Sequence, residues 1–166
     1  DWSSDVCSSD LVNEDTDLAI TGNSIADVDD TSMASVAITA SRGVFDLAQT
    51  TDLTFAANSG DGTDDTTMTF SGTVTKINLA IATLTWTSAS DDDADATITI
   101  VTTDSSGASD TDSMSITVGS VNDAPTTSGG STSGIAEDAT HTFTTTPGDW
   151  GFADVDSGEI GRASCR

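Results

Sequence analysis

Basic and aromatic side chains are scarce in this chain of 166 residues. It has 4 Lys and Arg residues against 28 Asp and Glu, with 1 His, 3 Trp, 5 Phe and no Tyr. Binding to phosphates depends on Lys and Arg, so the composition argues against a nucleic-acid partner. The single His141 lies in a Thr-rich stretch that predicts an exposed strand position rather than a catalytic base. A glycosidase would need aromatic platforms beside its paired acids. We therefore expect a protein without enzymatic activity.

Long apolar runs are also missing, and the cysteines are confined to the ends. No segment approaches the roughly 20 apolar residues of a membrane-spanning helix. Cys7 and Cys165 both fall in stretches, 1–11 and 159–166, that we interpret as translated sequencing adapter. A DNA sequence that encodes the first stretch contains GCTCTTCCGATCT, and one that encodes the second contains AGATCGGAAGAGC. The two strings are reverse complements of each other. Residues 12–158 then carry no thiol, no disulfide, and only Arg42 and Lys76 as basic side chains.

Alternation of apolar with Thr or Ser residues indicates strands with one buried and one solvated face. A formal charge of −24 favours disorder. The acidic residues cluster at predicted turns, however, and the alternating segments keep the pattern of ordered strands. The spacing of Ile77, Ala80, Ile81 and Leu84 predicts one short helix near 76–82. We expect an all-β fold of two sheets over one core. The apolar strand positions are Val36, Ile38 and Ala40, Met68 and Phe70, Leu84 and Trp86, Ile98 and Ile100, and Met114, Ile116 and Val118.

One pattern of acidic motifs occurs twice, on either side of Val121-Asn122-Asp123-Ala124-Pro125. Asn13-Glu14-Asp15 precedes Asp27-Val28-Asp29 in the first copy, and Ala136-Glu137-Asp138 precedes Asp154-Val155-Asp156 in the second. Such self-similarity is typical of repeat arrays. The sequence predicts a complete repeat over 12–120, a linker over 121–125 and the start of a second repeat over 126–158.

Taken in order, these motifs resemble the bacterial cadherin-like repeat of large secreted adhesins. The resemblance implies a Greek-key β-sandwich of cadherin or immunoglobulin type. It implies a non-enzymatic, extracellular structural repeat that contacts neighbouring repeats and binds cell-surface or polysaccharide ligands. The segments that carry it are Asn13–Asp15, Asp27–Asp29, Gly60–Asp65, a turn at Phe70-Ser71-Gly72 before Ile77-Asn78, Thr102–Asp104 and Val121–Pro125.

Acidic groups stand where a sandwich has its end loops, and Ca²⁺ takes six to eight oxygen ligands in irregular geometry. Glu14 is expected at the start of the first strand, Asp91 and Asp93 before the Ile98 strand, and Asp104 after it. The resemblance implies that Glu14, an acid of the Asp91–Asp93 run, Asn122 and Asp123 meet Asp154 and Asp156 of the next repeat at a Ca²⁺ site. It implies that Asp27, Asp29 and Asp104 meet the linker of a preceding repeat.

Two alternatives accompany this interpretation. A carbohydrate-binding accessory module of a secreted enzyme would show an exposed row of aromatic side chains on one sheet, and the Thr and Ser faces offer none. The loop with Asp61, Asp64 and Asp65 is better explained as a solvated hairpin than as an ion site.

Overall fold

The structure is a computed structural model that describes residues 10–128, 137–138, 151–153 and 156. The chain divides into two compact units, residues 1–120 and residues 121–166, which are considered separately below.

The first unit consists of short strands with one helix after the sixth. Period-two alternation of β-branched and apolar residues explains the strands, and Gly and Asp at positive φ explain the turns between them. The strands are β1 (Asp10–Asn13), β2 (Leu18–Ala19), β3 (Ser32–Ala40), β4 (Val44–Leu47), β5 (Thr54–Phe55), β6 (Thr67–Thr73), β7 (Leu84–Thr87), β8 (Ala96–Thr103) and β9 (Ser109–Gly119), and α1 spans Val74–Ile81.

These strands form two sheets. The larger has the order β1-β9-β8-β3-β6-β5, and the smaller has the order β2-β7-β4. Only β1 runs parallel to its neighbour, pairing Asn13 with Gly119, and the other named pairs are antiparallel. The predominance of strands in mixed sheets, with one short helix, is consistent with the β-sandwich that the sequence predicts.

Both sheets bury their apolar faces in one core. Val36, Ile38 and Phe70 of the larger sheet lie in the same cluster as Phe45 and Trp86 of the smaller one. Burying a side chain of this size stabilises a fold by about 1.5–3 kcal/mol. The apolar strand positions named from the sequence are all buried, so the alternation identified the core face correctly.

Helix α1 closes one edge of this core. Its N-cap is Thr73, whose hydroxyl accepts a hydrogen bond from the Lys76 N–H at 3.4 Å. Ile77, Ala80 and Ile81 are buried, as their spacing predicts. The helix expected near 76–82 is confirmed, with its start two residues earlier.

Two local expectations are wrong. Phe70-Ser71-Gly72 is no turn but part of β6, because Phe70 pairs with Val36 and Gly72 with Met33 across the ladder. Glu14 does not start the first strand. It directly follows β1, because the residues before it already pair with β9.

The second unit contains one two-stranded antiparallel sheet, formed by β10 (Thr126–Ser128) and β11 (Gly151–Ala153). His141 and Asp154 lie outside the described residues. None of the helical structure in the described ranges is long and apolar enough to cross a membrane.

Candidate metal centre

Glu14 and Asp15 follow directly on β1, at the end of the first unit where β9 also ends, which we call the Glu14 end. The Glu14 N–H donates to the Gly119 carbonyl at 3.0 Å, which extends the pairing of β1 by one residue. The Glu14 side chain is only 4% exposed. Asp15 turns away at φ 55°, and its N–H donates to the Ser88 hydroxyl at 3.2 Å. The chain after β1 is thereby fixed to the loop that follows β7.

Asp15 and Asp91 approach each other across this end. The Asp91 N–H donates to Oδ1 of Asp15 at 3.4 Å, and carboxylate oxygens of the two residues lie within 4.8 Å of each other. Both side chains are exposed to solvent. Two like charges this close repel, and a divalent cation between them would turn the repulsion into attraction.

The acidic residues that follow Asp91 have different interaction partners. Asp92 forms an ion pair with Arg42, with Nη1 and Oδ2 2.9 Å apart. Asp95 accepts a hydrogen bond from the Val118 N–H at 3.1 Å. Asp93 is exposed on the same loop. Of the two acids predicted from this run, the structure places Asp91 beside another carboxylate.

Asp27, Asp29 and Asp104 lie at the opposite end of the first unit, which we call the Asp27 end. The eight residues of β8 separate the loop that carries Asp104 from the loop that carries Asp91, and at the ordinary rise of a strand they span about 26 Å. No group of three acids at this end, within the part of the chain that is described, brings its oxygens within 4.8 Å of one another.

Carboxylates at the Asp27 end are engaged with the backbone of their own loops. Oδ1 of Asp27 accepts the N–H groups of Asp29 and Asp30, both at 2.8 Å. Oδ2 of Asp30 accepts the Ser105 N–H at 3.0 Å and its hydroxyl at 2.6 Å. Asp30 thus joins the two loops, a role that the sequence pattern did not reveal.

Asp104 caps the turn after β8. The Ser106 hydroxyl donates to its carboxylate, and so do the N–H groups of Ser106 and Ala108 at 2.9 and 2.8 Å. The Ser106 hydroxyl is the largest cause holding the pKa of Asp104 below its ordinary value. Desolvation opposes it, and the backbone hydrogen bonds add to it. Asp104 therefore stays ionised and stabilises its own turn.

A shallow pocket of about 180 Å³ opens at this end. Ile25 and Met33 line its apolar side, and Asp27, Asp104 and Asp110 line its polar side. Its wall is held by Asn78 of α1. Oδ1 of Asn78 accepts the Ile25 N–H, and its Nδ2 donates to the Ile25 carbonyl, both at 2.8 Å. The loop that carries Asp27 is thereby pinned to the helix.

We expect Asn78→Ala to lower the free energy of unfolding by about 1–3 kcal/mol, because it leaves two backbone groups of Ile25 without their partner. Leu79→Ala is the matched control, since Leu79 is the next helix residue and is 51% exposed. Urea unfolding of the two variants measures the difference. An equal loss in both would show that the two hydrogen bonds between Asn78 and Ile25 contribute no more to stability than the exposed Leu79 side chain does.

The second unit brings two of the predicted acids together. The Asp123 N–H donates to Oδ2 of Asp156 at 2.6 Å, and carboxylate oxygens of the two residues lie within 4.8 Å of each other. Nδ2 of the preceding residue, Asn122, donates to the Asp123 carbonyl at 2.9 Å.

The oxygen donors at the Glu14 end are the kind that Ca²⁺ prefers, because they are carboxylates on irregular loops. Asp15 and Asp91 together fall short of a full coordination shell, so water or further chain oxygens would complete it. Asp15 was missing from the acids proposed as ligands, although it belongs to the Asn13-Glu14-Asp15 motif. Its positive φ, which Asp tolerates better than most residues, turns its carboxylate toward Asp91.

Comparison of the chain with protein-family models, with curated proteins and with solved structures finds no match in any of the three.

Proposed function

We propose that this chain is a calcium-stiffened structural and adhesive repeat of a large extracellular bacterial adhesin, with a Greek-key sandwich of cadherin-like type and no enzymatic activity. The observation that carries the proposal is the approach of the Asp15 and Asp91 carboxylates to within 4.8 Å of each other. Asp15 and Asp91 would hold the ion, whose charge would offset their mutual repulsion, and the resemblance in the sequence adds Glu14 as a further ligand.

The place of these acids supports a role in joining repeats. The N–H of Glu14 donates to the carbonyl of Gly119, the last residue of β9, and the sequence continues from there into the linker. The resemblance in the sequence assigns further ligands to Asn122 and Asp123 of that linker. Without cation, carboxylates at a junction repel and let successive domains flex, and a divalent ion makes the string of domains stiff.

An extracellular site of this kind needs only weak affinity, with a dissociation constant of about 10⁻⁴–10⁻³ M. At ten times that concentration, one site adds about 1.4 kcal/mol to the stability of the folded state. For a domain of about 100 residues, this corresponds to a rise of about 7 °C in melting temperature.

We expect the melting temperature to rise by about that amount between EDTA and millimolar Ca²⁺, and Asp91→Asn to abolish most of the rise. In EDTA, Asp91→Asn should melt at or above the wild-type temperature, because it removes a like charge beside Asp15. Asp93→Asn is the matched control, with the same charge change on the same loop. Differential scanning calorimetry measures all three proteins.

Two results would contradict the proposal. A rise reproduced by NaCl or MgCl₂ at matched ionic strength would mean general screening of an acidic surface. An equal loss of the Ca²⁺ response in Asp91→Asn and Asp93→Asn would mean that the approach of Asp15 and Asp91 has no part in binding.

The carbohydrate-binding alternative ranks second. Recognition of a neutral sugar ring favours aromatic side chains exposed on a sheet. The described outward positions of β3, β6, β8 and β9 carry Thr, Ser, Ala, Val and Gly instead. Retention on a panel of immobilised polysaccharides, unaffected by EDTA, would favour this alternative over the calcium-stiffened repeat.

A further inference from the structure

The outer face of the larger sheet is rich in hydroxyl groups. Thr67, Thr39, Thr99 and Ser113 lie side by side in one row across four strands, by direct register of β6, β3, β8 and β9. The hydroxyls of Thr67 and Thr39 are 3.5 Å apart. The next row along the strands contains Thr69, Ala37, Val101 and Thr111, and the one after it contains Ser35, Thr103 and Ser109.

No charged side chain stands on the outward positions of these four strands, although the chain carries a formal charge of −24. Most acids of the first unit lie in its loops, and the two on β9 are on the inner side, because Asp112 pairs with the buried Ile100 and Asp110 pairs with Thr102, the partner of the buried Val36. A partner with a charge of either sign finds no complementary group here. A neutral sugar finds no aromatic ring.

The centre of the face is apolar and its surroundings are polar. Ala37 and Val101 are direct neighbours in the β3–β8 register, both are half-exposed, and the hydroxyl rows flank them on each side. An apolar centre with a polar rim is the ordinary anatomy of a protein interface. A hydroxyl both donates and accepts hydrogen bonds, so a surface of hydroxyls is complementary to itself.

We propose that this face binds the same face of a second copy of this chain. Two identical sheets carry the same right-handed twist and pack aligned at about −30°, as the two layers of a sandwich do. The contact is isologous, so Ala37 and Val101 of each copy meet at the centre and the acidic loops stay at the periphery. It is the strand face on which two strongly acidic copies approach with the least repulsion.

The size of the face makes the contact weak. Four strands about 4.8 Å apart, paired over about six residues, cover about 400 Å² per copy, which is half of the roughly 800 Å² per partner in a standard stable interface. Single units therefore associate only near millimolar concentration. Copies linked in tandem would associate far more tightly through effective concentration. Because net repulsion opposes the contact, salt strengthens it.

Sedimentation equilibrium of the full chain, in EDTA and a reducing agent, tests the proposal. EDTA separates the result from any calcium effect, and the reducing agent prevents crosslinks through Cys7 and Cys165. The apparent mass should rise with concentration up to about 1 mM, with an association constant at least about tenfold larger in 1 M than in 0.1 M NaCl. Circular dichroism confirms that each variant is folded.

Thr99→Glu and Ser113→Glu each place a charge on the face and should weaken association by at least about tenfold at 1 M NaCl. Thr63→Glu is the control, because it adds the same charge on an exposed loop, and it should leave association nearly unchanged. The proposal is overturned if the wild-type chain stays monomeric at every salt concentration. It is also overturned if Thr63→Glu weakens association as much as Thr99→Glu, or if neither face variant weakens it.

Discussion

Gly43→Ala is expected to destabilise the first unit by about 3–5 kcal/mol, which is a large part of the roughly 5–15 kcal/mol by which an ordinary domain is stable. Gly43 lies where the chain passes from β3 of the larger sheet to β4 of the smaller one, at φ 74°. A Cβ at this position would lie 2.3 Å from the Thr87 carbonyl oxygen and 2.7 Å from two atoms of the Trp86 ring. Neither the backbone nor the buried ring can retreat, so steric overlap adds to the backbone strain.

Gly107→Ala isolates the backbone contribution. Gly107 also has a positive φ, of 90°, but no atom lies within 4 Å of an added Cβ. We expect a loss of only about 1–2 kcal/mol there. Guanidinium unfolding of both variants gives the comparison. Equal losses would mean that the packing of Gly43 against Trp86 carries no energetic weight.

This contrast illustrates what the sequence can and cannot predict about the fold. Ser41-Arg42-Gly43 and Ser105-Ser106-Gly107 both have the composition of turns, and the chain bends at the first and turns at the second. Which of the two glycines is packed against a core ring depends on the strand order, because Trp86 is brought to Gly43 only when β7 pairs with β4. Local patterns identify turns and faces, whereas long-range pairing decides which of them are in contact.

The candidate site follows the same division. The sequence placed Asp91 and Asp104 in loops at the two ends of one strand, and β8 indeed runs between those loops. It did not separate Asp91, which meets Asp15, from Asp92, which pairs with Arg42. The sequence also did not reveal that the Asp104 carboxylate accepts hydrogen bonds from its own turn, since those bonds depend on the conformation of Ser106 and Ala108.

The mixed character of the larger sheet was also beyond the sequence pattern. Alternation identifies which face of a strand is buried, but it does not give the direction of the neighbouring strand. The parallel pairing of β1 with β9 brings Glu14 beside Gly119, and this pairing creates the Glu14 end.

Trp86→Ala is expected to cost about 3–5 kcal/mol, because it removes the largest fully buried side chain from the centre of the smaller sheet. Trp86 is 1% exposed and lies opposite Phe45 in the β4–β7 ladder. Its loss leaves a cavity between the two sheets that the surrounding strands cannot close. Val28→Ala serves as the control, since Val28 is 96% exposed and should change stability by less than about 0.5 kcal/mol.

Trp86→Phe separates packing from hydrogen bonding. Nε1 of Trp86 donates to the Arg42 carbonyl at 2.8 Å, which ties the core to the crossing between the sheets. Phe keeps most of the ring but cannot donate, so we expect an intermediate loss of about 1–3 kcal/mol. Chemical unfolding followed by far-ultraviolet circular dichroism measures all variants without relying on tryptophan fluorescence. If Trp86→Phe lost as much stability as Trp86→Ala, the hydrogen bond to Arg42, rather than the buried ring, would be what holds the two sheets together at this corner.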